Sequence, residues 1–204
     1  MDNDKLTQLN STEISSLCVY CGSRVGDNPA FEAAARQLGE EMAKRNMTLV
    51  YGAGSIGIMG ILADSVHRHG GNIIGILPEF LDEIEVGRHD IQEFVVTPNM
   101  HERKALMFQK SDAFVILPGG LGSLDETFEI ITWRQLGLHD KPIIIANIDG
   151  YWDPLVALIE STISRGFAAP ECTKLYTVVD DVPGIFDALK GVHLPPDNSR
   201  VDRL

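Results

Sequence analysis

Seven short apolar runs punctuate the chain, and each is followed by a stretch of different periodicity. The runs are Ser16–Cys21, Met47–Tyr51, Asn72–Leu77, Glu93–Thr97, Asp112–Leu117, Pro142–Asn147 and Leu175–Val179. They are nearly continuous in apolar character, the mark of strands buried on both faces. Between them lie the amphipathic stretches Pro29–Arg45, Ile58–His69, Met100–Lys110, Leu124–Leu136, Pro154–Arg165 and Pro183–Leu189. Asn28 ahead of Pro29 is a helix start signal, with proline in the first helical position. Strict β-α alternation predicts an α/β fold, a Rossmann-like, doubly wound parallel sheet of about seven strands. Such sheets bind ligands beyond the carboxyl ends of their strands, where the strand order switches. Chemistry is therefore expected in the loops that follow strands.

At 204 residues the chain fits one domain, expected over 16–190, with a flexible segment at 1–15 and a loose tail at 191–204. Hydrophobic residues at 44% and charged residues at 23% are ordinary for a globular body. The net charge of −12 disfavours nucleic acid and anionic membranes as partners, but leaves room for a small anion held by local donors. No apolar run approaches the ~20 residues of a bilayer span. The polar start of the chain resembles no signal peptide, so a cytoplasmic location is expected. The three cysteines suit a reducing compartment. Cys18 and Cys21 form C-x-x-C, but in a strand and without partners for zinc; buried thiols are the expectation, and no metal site is assigned.

Three loops follow strands with unusual composition. In Cys21-Gly22-Ser23-Arg24, glycine permits close approach of a ligand while Ser23 and Arg24 can donate to an anion; a plain connection with a surface arginine reads equally well. In Tyr51–Gly60, Gly52, Gly54 and Gly57 satisfy G-x-G-x-x-G. The match follows the second strand and lacks a well-placed acidic partner, since Glu79 comes after the next strand has ended. It supports close backbone approach and no named dinucleotide. The third loop, Pro118-Gly119-Gly120-Leu121-Gly122-Ser123, turns a strand into a helix and exposes backbone N–H groups at the positive end of the dipole, which makes an anion site. The Gly-Lys-Ser/Thr ending of a Walker loop is absent. Ser123-Leu124-Asp125-Glu126 also fits a capping box, so Glu126 reads from pattern alone as a helix cap. Upstream, Arg103 and Lys104 in a first helical turn oppose the macrodipole, as a pair serving an anion does; a solvated surface pair beside Glu102 is the other reading. The Pro78–Gln92 connection is long enough for a lid or site wall.

Taken together these motifs resemble the LOG family, the cytokinin riboside 5′-monophosphate phosphoribohydrolases, often labelled lysine decarboxylase-like. Its signatures P-G-G-x-G-T-x-x-E and M-H-x-R-K appear as Pro118–Glu126 and Met100–Lys104. The likeness extends to Val19–Ser23, Gly52–Gly60, Ile131–Gly137 and His139–Pro142, covering most of Ser16 to Leu189. The resemblance implies hydrolysis of the N-glycosidic bond of a nucleoside 5′-monophosphate, AMP or N6-modified AMP, to free base and ribose 5-phosphate. It implies no cofactor, a homodimer, and Arg103 and Glu126 as catalytic residues. Substrate and phosphate binding would fall to Gly22, Ser23, Gly52, Gly54, Lys104, Gly119, Gly120, Leu121, Gly122, Ser123, Leu124, Asp125 and Thr132, with Glu85 placed by spacing. Ser123 replaces the usual threonine, Leu121 a common tyrosine, and Ala53 a frequent glycine. The Leu121 change bears on base preference. Two other readings stay open: a broader nucleotide 5′-monophosphate nucleosidase, and a non-catalytic nucleotide or cofactor binder such as the molybdenum-cofactor proteins of related fold. A pyridoxal-dependent lysine decarboxylase fits least.

Overall fold

The structure, a computed structural model, describes residues 13–82 and 90–192. Its strands are β1 Ser16–Tyr20, β2 Thr48–Tyr51, β3 Ile73–Pro78, β4 Glu93–Thr97, β5 Ala113–Ile116, β6 Ile143–Ala146 and β7 Thr177–Val179. The helices are α1 Pro29–Lys44, α2 Gly57–Arg68, the single turn α3 Glu79–Asp82, α4 Met100–Gln109, α5 Leu121–Gln135, α6 Asp153–Ser164 and α7 Val182–Leu189. All seven expected strands form: β4 matches its run, β3 is shifted by one residue, and the other five are one or two residues shorter. Of the segments expected to be loose, residues 1–12 and 193–204 lie outside the described residues, as do residues 83–89 of the Pro78–Gln92 connection, Glu85 among them.

One parallel sheet has the order β4-β3-β2-β1-β5-β6-β7. The chain winds outward from β1 in one direction, then returns to pair β5 on the other side of β1, with Leu17 beside Ala113 and Tyr20 beside Ile116. The order therefore reverses between β1 and β5, where a doubly wound sheet opens a crevice. Alternate residues of β1 feed two separate cores. Leu17 and Val19 join Leu38 and Met42 of α1, Leu62 of α2 and Ile185 of α7. Cys18 and Tyr20 join Phe108 of α4, Ile130 of α5 and Leu155 of α6. Cys21 belongs to the first core, so the two thiols of C-x-x-C face opposite sides of the sheet and are buried, as expected for strand cysteines. Burial pushes the Cys18 thiol up to about 12, with the nearby Glu126 charge adding to the rise.

Helix starts follow local chemistry. The Asn28 side chain accepts from Ala30 N–H at 2.9 Å ahead of α1, and Asn99 accepts from Glu102 N–H at 2.9 Å ahead of α4. At α5 the expected boundary is corrected. The helix begins at Leu121, not Leu124, with Gly120 at its N-cap and no side-chain cap bond. Ser123 is then inside the first turn, so the capping box does not form, and Glu126 is free of that duty. The glycine turn runs straight into the helix and leaves its leading amides without intrahelical partners. Among the described residues no helix is long and apolar enough to cross a membrane.

Candidate active site

Gly52 and Gly57, around the β2–α2 loop, are explained from within the chain. A Cβ at Gly52 would lie 2.2 Å from Arg103 Nη2, and one at Gly57 (φ +66°) would lie 2.2 Å from the Ser23 carbonyl carbon. The first leaves room for an arginine and the second lets two site loops touch. Two of the three glycines of the G-x-G-x-x-G pattern are thus packing requirements here. Gly54 is buried in the same loop.

Arg103 and Glu126 meet at the carboxyl ends of the central strands. Arg103 Nη1 donates to Glu126 Oε1 at 2.7 Å, and Arg103 Nε donates to the Ile76 carbonyl of β3 at 3.2 Å. Both side chains are about nine-tenths buried. Burying an ion pair costs several kcal/mol in desolvation, so such a pair is weak evidence of stabilisation and better evidence of function. Burial raises the Glu126 carboxyl above the ordinary glutamate range, and the Arg103 charge only partly opposes this. On the outer side of α5, Lys104 pairs with Asp125 at 3.1 Å and with Glu129 at 3.0 Å. Burial alone would lower its ammonium; those two carboxylates outweigh it and hold it above the ordinary lysine range.

The glycine turn after β5 has an open geometry. Gly22 N–H donates to the Pro118 carbonyl at 3.0 Å, which locks the β1 loop to the turn after β5. A Cβ at Gly119 would lie 2.1 Å from Ser123 Oγ, so this glycine makes room for the buried serine. At Gly120 and Gly122 an added Cβ meets nothing within 4 Å, and neither has positive φ. Neither packing nor backbone conformation demands glycine at these two positions. What they leave clear is the space over the N-terminus of α5. That space opens on a cavity of ≈ 490 Å³ bounded by Gly22, Ser23, Arg24, Gly119, Gly120 and Tyr151. Phe31 of α1, Ile58 of α2 and Leu121 of α5 also reach its wall, so the first turns of three helices border one cavity. A second cavity of ≈ 520 Å³ lies at the amino ends of the strands, between α1 and α7. It is remote from the Arg103–Glu126 pair.

Two expected residues stand apart. Leu124 donates its N–H to the Gly120 carbonyl and packs its side chain on the second core. Thr132 is exposed, on the face of α5 that also carries Leu121, Asp125, Phe128 and Leu136 at helical spacing. Two contributors carried no signal in the motifs. Glu129 completes the Lys104 cluster, and Tyr151 Oη donates to the Gly119 carbonyl at 2.6 Å. The His139–Pro142 segment is a brace: His139 Nε2 lies 3.0 Å from the Ile130 carbonyl of α5, and Lys141 Nζ donates to the Phe108 carbonyl of α4 at 2.6 Å. It ties together the two helices that carry Glu126 and Arg103.

A family model described as "Possible lysine decarboxylase" matches residues 59–189, which hold both signature motifs. A probable cytokinin riboside 5′-monophosphate phosphoribohydrolase of Oryza sativa subsp. japonica, LOGL1, is 45% identical over 78% of this chain and 71% of its own length. The cytokinin riboside 5′-monophosphate phosphoribohydrolase LOG3 of Arabidopsis thaliana is 42% identical over 82% of this chain and 78% of its own. The chain belongs to the LOG family. Solved structures extend the likeness at the level of fold. The molybdenum cofactor binding protein of Rippkaea orientalis superimposes on this LOG-family chain with a TM-score of 0.66 at 20% identity, covering 88% of this chain and 98% of that one. The molybdenum cofactor carrier protein of Chlamydomonas reinhardtii gives a TM-score of 0.65 at 19% identity, covering 87% and 97%.

Proposed function

We propose that this chain hydrolyses the N-glycosidic bond of cytokinin riboside 5′-monophosphates, releasing the free base and ribose 5-phosphate. The observation that carries the reading is the buried Arg103–Glu126 pair beside an open, glycine-cleared helix N-terminus. Glu126 follows Leu121 by five residues on α5, roughly 8 Å of helix rise. A ribose 5-phosphate spans such a gap, with its phosphate on the turn amides and C1′ near the carboxylate. As the C1′–N bond breaks, its electron pair leaves with the base and positive charge builds on the ribose. The Glu126 carboxylate stabilises that charge and orients water, whose oxygen bonds to C1′. One water proton ends on the base and the other remains as the new sugar hydroxyl. Arg103 holds Glu126 and neutralises charge beside the substrate. Phosphate binding remote from the reacting bond supplies orientation. The names of the relatives support the cytokinin substrate over plain AMP.

The test is a product assay over AMP, N6-isopentenyl-AMP and their ribosides, with wild type and Glu126→Gln. Base release from the N6-modified monophosphate, with at least a hundredfold loss in the variant, is expected from removal of a charge-stabilising group. Equal release from AMP favours the broader nucleosidase, and full activity in Glu126→Gln removes the mechanism. The homodimer implied by the family is proposed to use the exposed α5 face with Leu121, Phe128 and Leu136, and the mass in solution checks it.

A further inference from the structure

The segment between β6 and α6 reaches back to the glycine turn. Tyr151 Oη donates to the Gly119 carbonyl at 2.6 Å, and the tyrosine lines the cavity over the α5 N-terminus. In a trans peptide the C=O and N–H point in opposite directions. Fixing the Gly119 carbonyl toward Tyr151 therefore fixes the Gly120 N–H away from it. That peptide joins two glycines, the pair of residues with the greatest backbone freedom, so its orientation needs an external tether. The neighbouring Pro118 carbonyl is tethered in the same sense by Gly22 N–H.

Tyr151 is itself held from several directions. Asp149 (φ 52°) and Gly150 (φ 73°) form a left-handed corner just before it, a conformation uncommon outside glycine though aspartate adopts it more readily than most residues. Asn28, the cap of α1, donates through Nδ2 to the Asp149 carboxylate. Asn147 accepts from Trp152 N–H at 2.7 Å and donates to Asp153 at 2.8 Å. The tyrosine ring stands edge-on between Phe31, 5.2 Å away, and Trp152, 4.7 Å away. A left-handed corner and a ring of contacts thus converge on a half-exposed hydroxyl whose partner is the turn.

We propose that Tyr151 is a positioning residue for the substrate's 5′-phosphate, its hydroxyl turning the Gly119–Gly120 peptide so that the Gly120 amide meets the anion. The inference rests on the reading of the glycine turn as the phosphate cradle. Tyr151→Phe keeps the ring contacts and removes the tether. Steady-state kinetics on the monophosphate and its riboside, calorimetric binding of ribose 5-phosphate and thermal unfolding are measured together. The expected result is a rise of about three- to tenfold in both KM for the monophosphate and Kd for ribose 5-phosphate, the scale of one hydrogen bond. Cleavage of the riboside, however slow, stays within about twofold of wild type, and the unfolding midpoint falls by no more than a few degrees, the cost of the lost hydrogen bond. An unchanged Kd for ribose 5-phosphate overturns the proposal. So does an equal loss on riboside and monophosphate, which marks a structural role. If wild type itself prefers the riboside as much as the monophosphate, the phosphate cradle fails first, and that result is read without the variant.

Discussion

Gly122→Ala separates a glycine kept for the chain from one kept for a ligand. Gly122 is the second residue of α5, it is exposed, its φ is not positive, and an added Cβ touches nothing within 4 Å. Alanine is the better helix former by ~0.5–1 kcal/mol in a helix interior, and about half of that is expected in the first turn. For a chain of this size, ~0.5 kcal/mol raises the unfolding midpoint by about 1–2 °C. The cost falls elsewhere. Each Cα–Cβ bond of a helix leans toward its N-terminus, so the new methyl overhangs the free amides where phosphate is to sit. Losing one charge-assisted hydrogen bond there costs ~1.5–3 kcal/mol, about a 10- to 100-fold fall in kcat/KM. Thermal unfolding and kcat/KM for the nucleoside 5′-monophosphate are compared in one preparation. The expected variant is slightly more stable and much less active. Wild-type kcat/KM in a stably folded Gly122→Ala would refute the reasoning, because the cleared space would then hold nothing.

Gly52→Ala drives a methyl into the buried Arg103 guanidinium, which is held by Glu126 and the Ile76 carbonyl; activity is expected to fall at least tenfold, the size of effect a misplaced catalytic group gives, with a lowered unfolding midpoint because the buried pair is disturbed. Because burial raises the Glu126 carboxyl, the acid limb of kcat/KM is expected above the ordinary glutamate value of 4.5, and Arg103→Met should move it further up by removing the opposing charge. The same shift means that the folded state holds the Glu126 proton to higher pH than the unfolded chain does. Stability therefore falls as pH rises from 4.5 through the folded value, a slope that denaturation of Glu126→Gln should lack.

The sheet was legible because the central strands β1, β2, β3, β5 and β6, covered on both faces, leave nearly unbroken apolar runs; the edge strands β4 and β7 are more exposed and were visible through their β-branched residues. The site was legible in part, for a physical reason seen on two helices. Helix α4 buries Arg103 and Lys104, and α5 buries Ser123, Glu126 and Thr127, so neither has the clean apolar stripe of a packing helix. Polar residues in core positions break the pattern where function requires it. Glu126 was ambiguous because serine and glutamate three apart spell a cap equally well, and only the earlier start of α5 separates the two. Tyr151 left no signal at all: 32 residues separate it from Gly119, and the hydroxyl-to-carbonyl contact depends on the strand order. The reasons for Gly52 and Gly57 were equally hidden, since each is set by an atom from a distant loop.

The return of β5 to the side of β1 also governs the order in which the protein can come into being. β1 leaves the ribosome well before β5, so its second hydrogen-bonding edge waits for residues 113–116, and Ser16 for Asp112, 96 residues away. Until then a central strand that the fold buries completely has one open edge, the arrangement most prone to pairing with another chain. Ligand affinity cannot offset this interval, because the glycine turn and Glu126 are both made after the edge is closed. Early protection of the nascent chain must come from α1 and α2 packing over β1 and β2, so lesions in that half should appear first as lost yield and only later as lost catalysis.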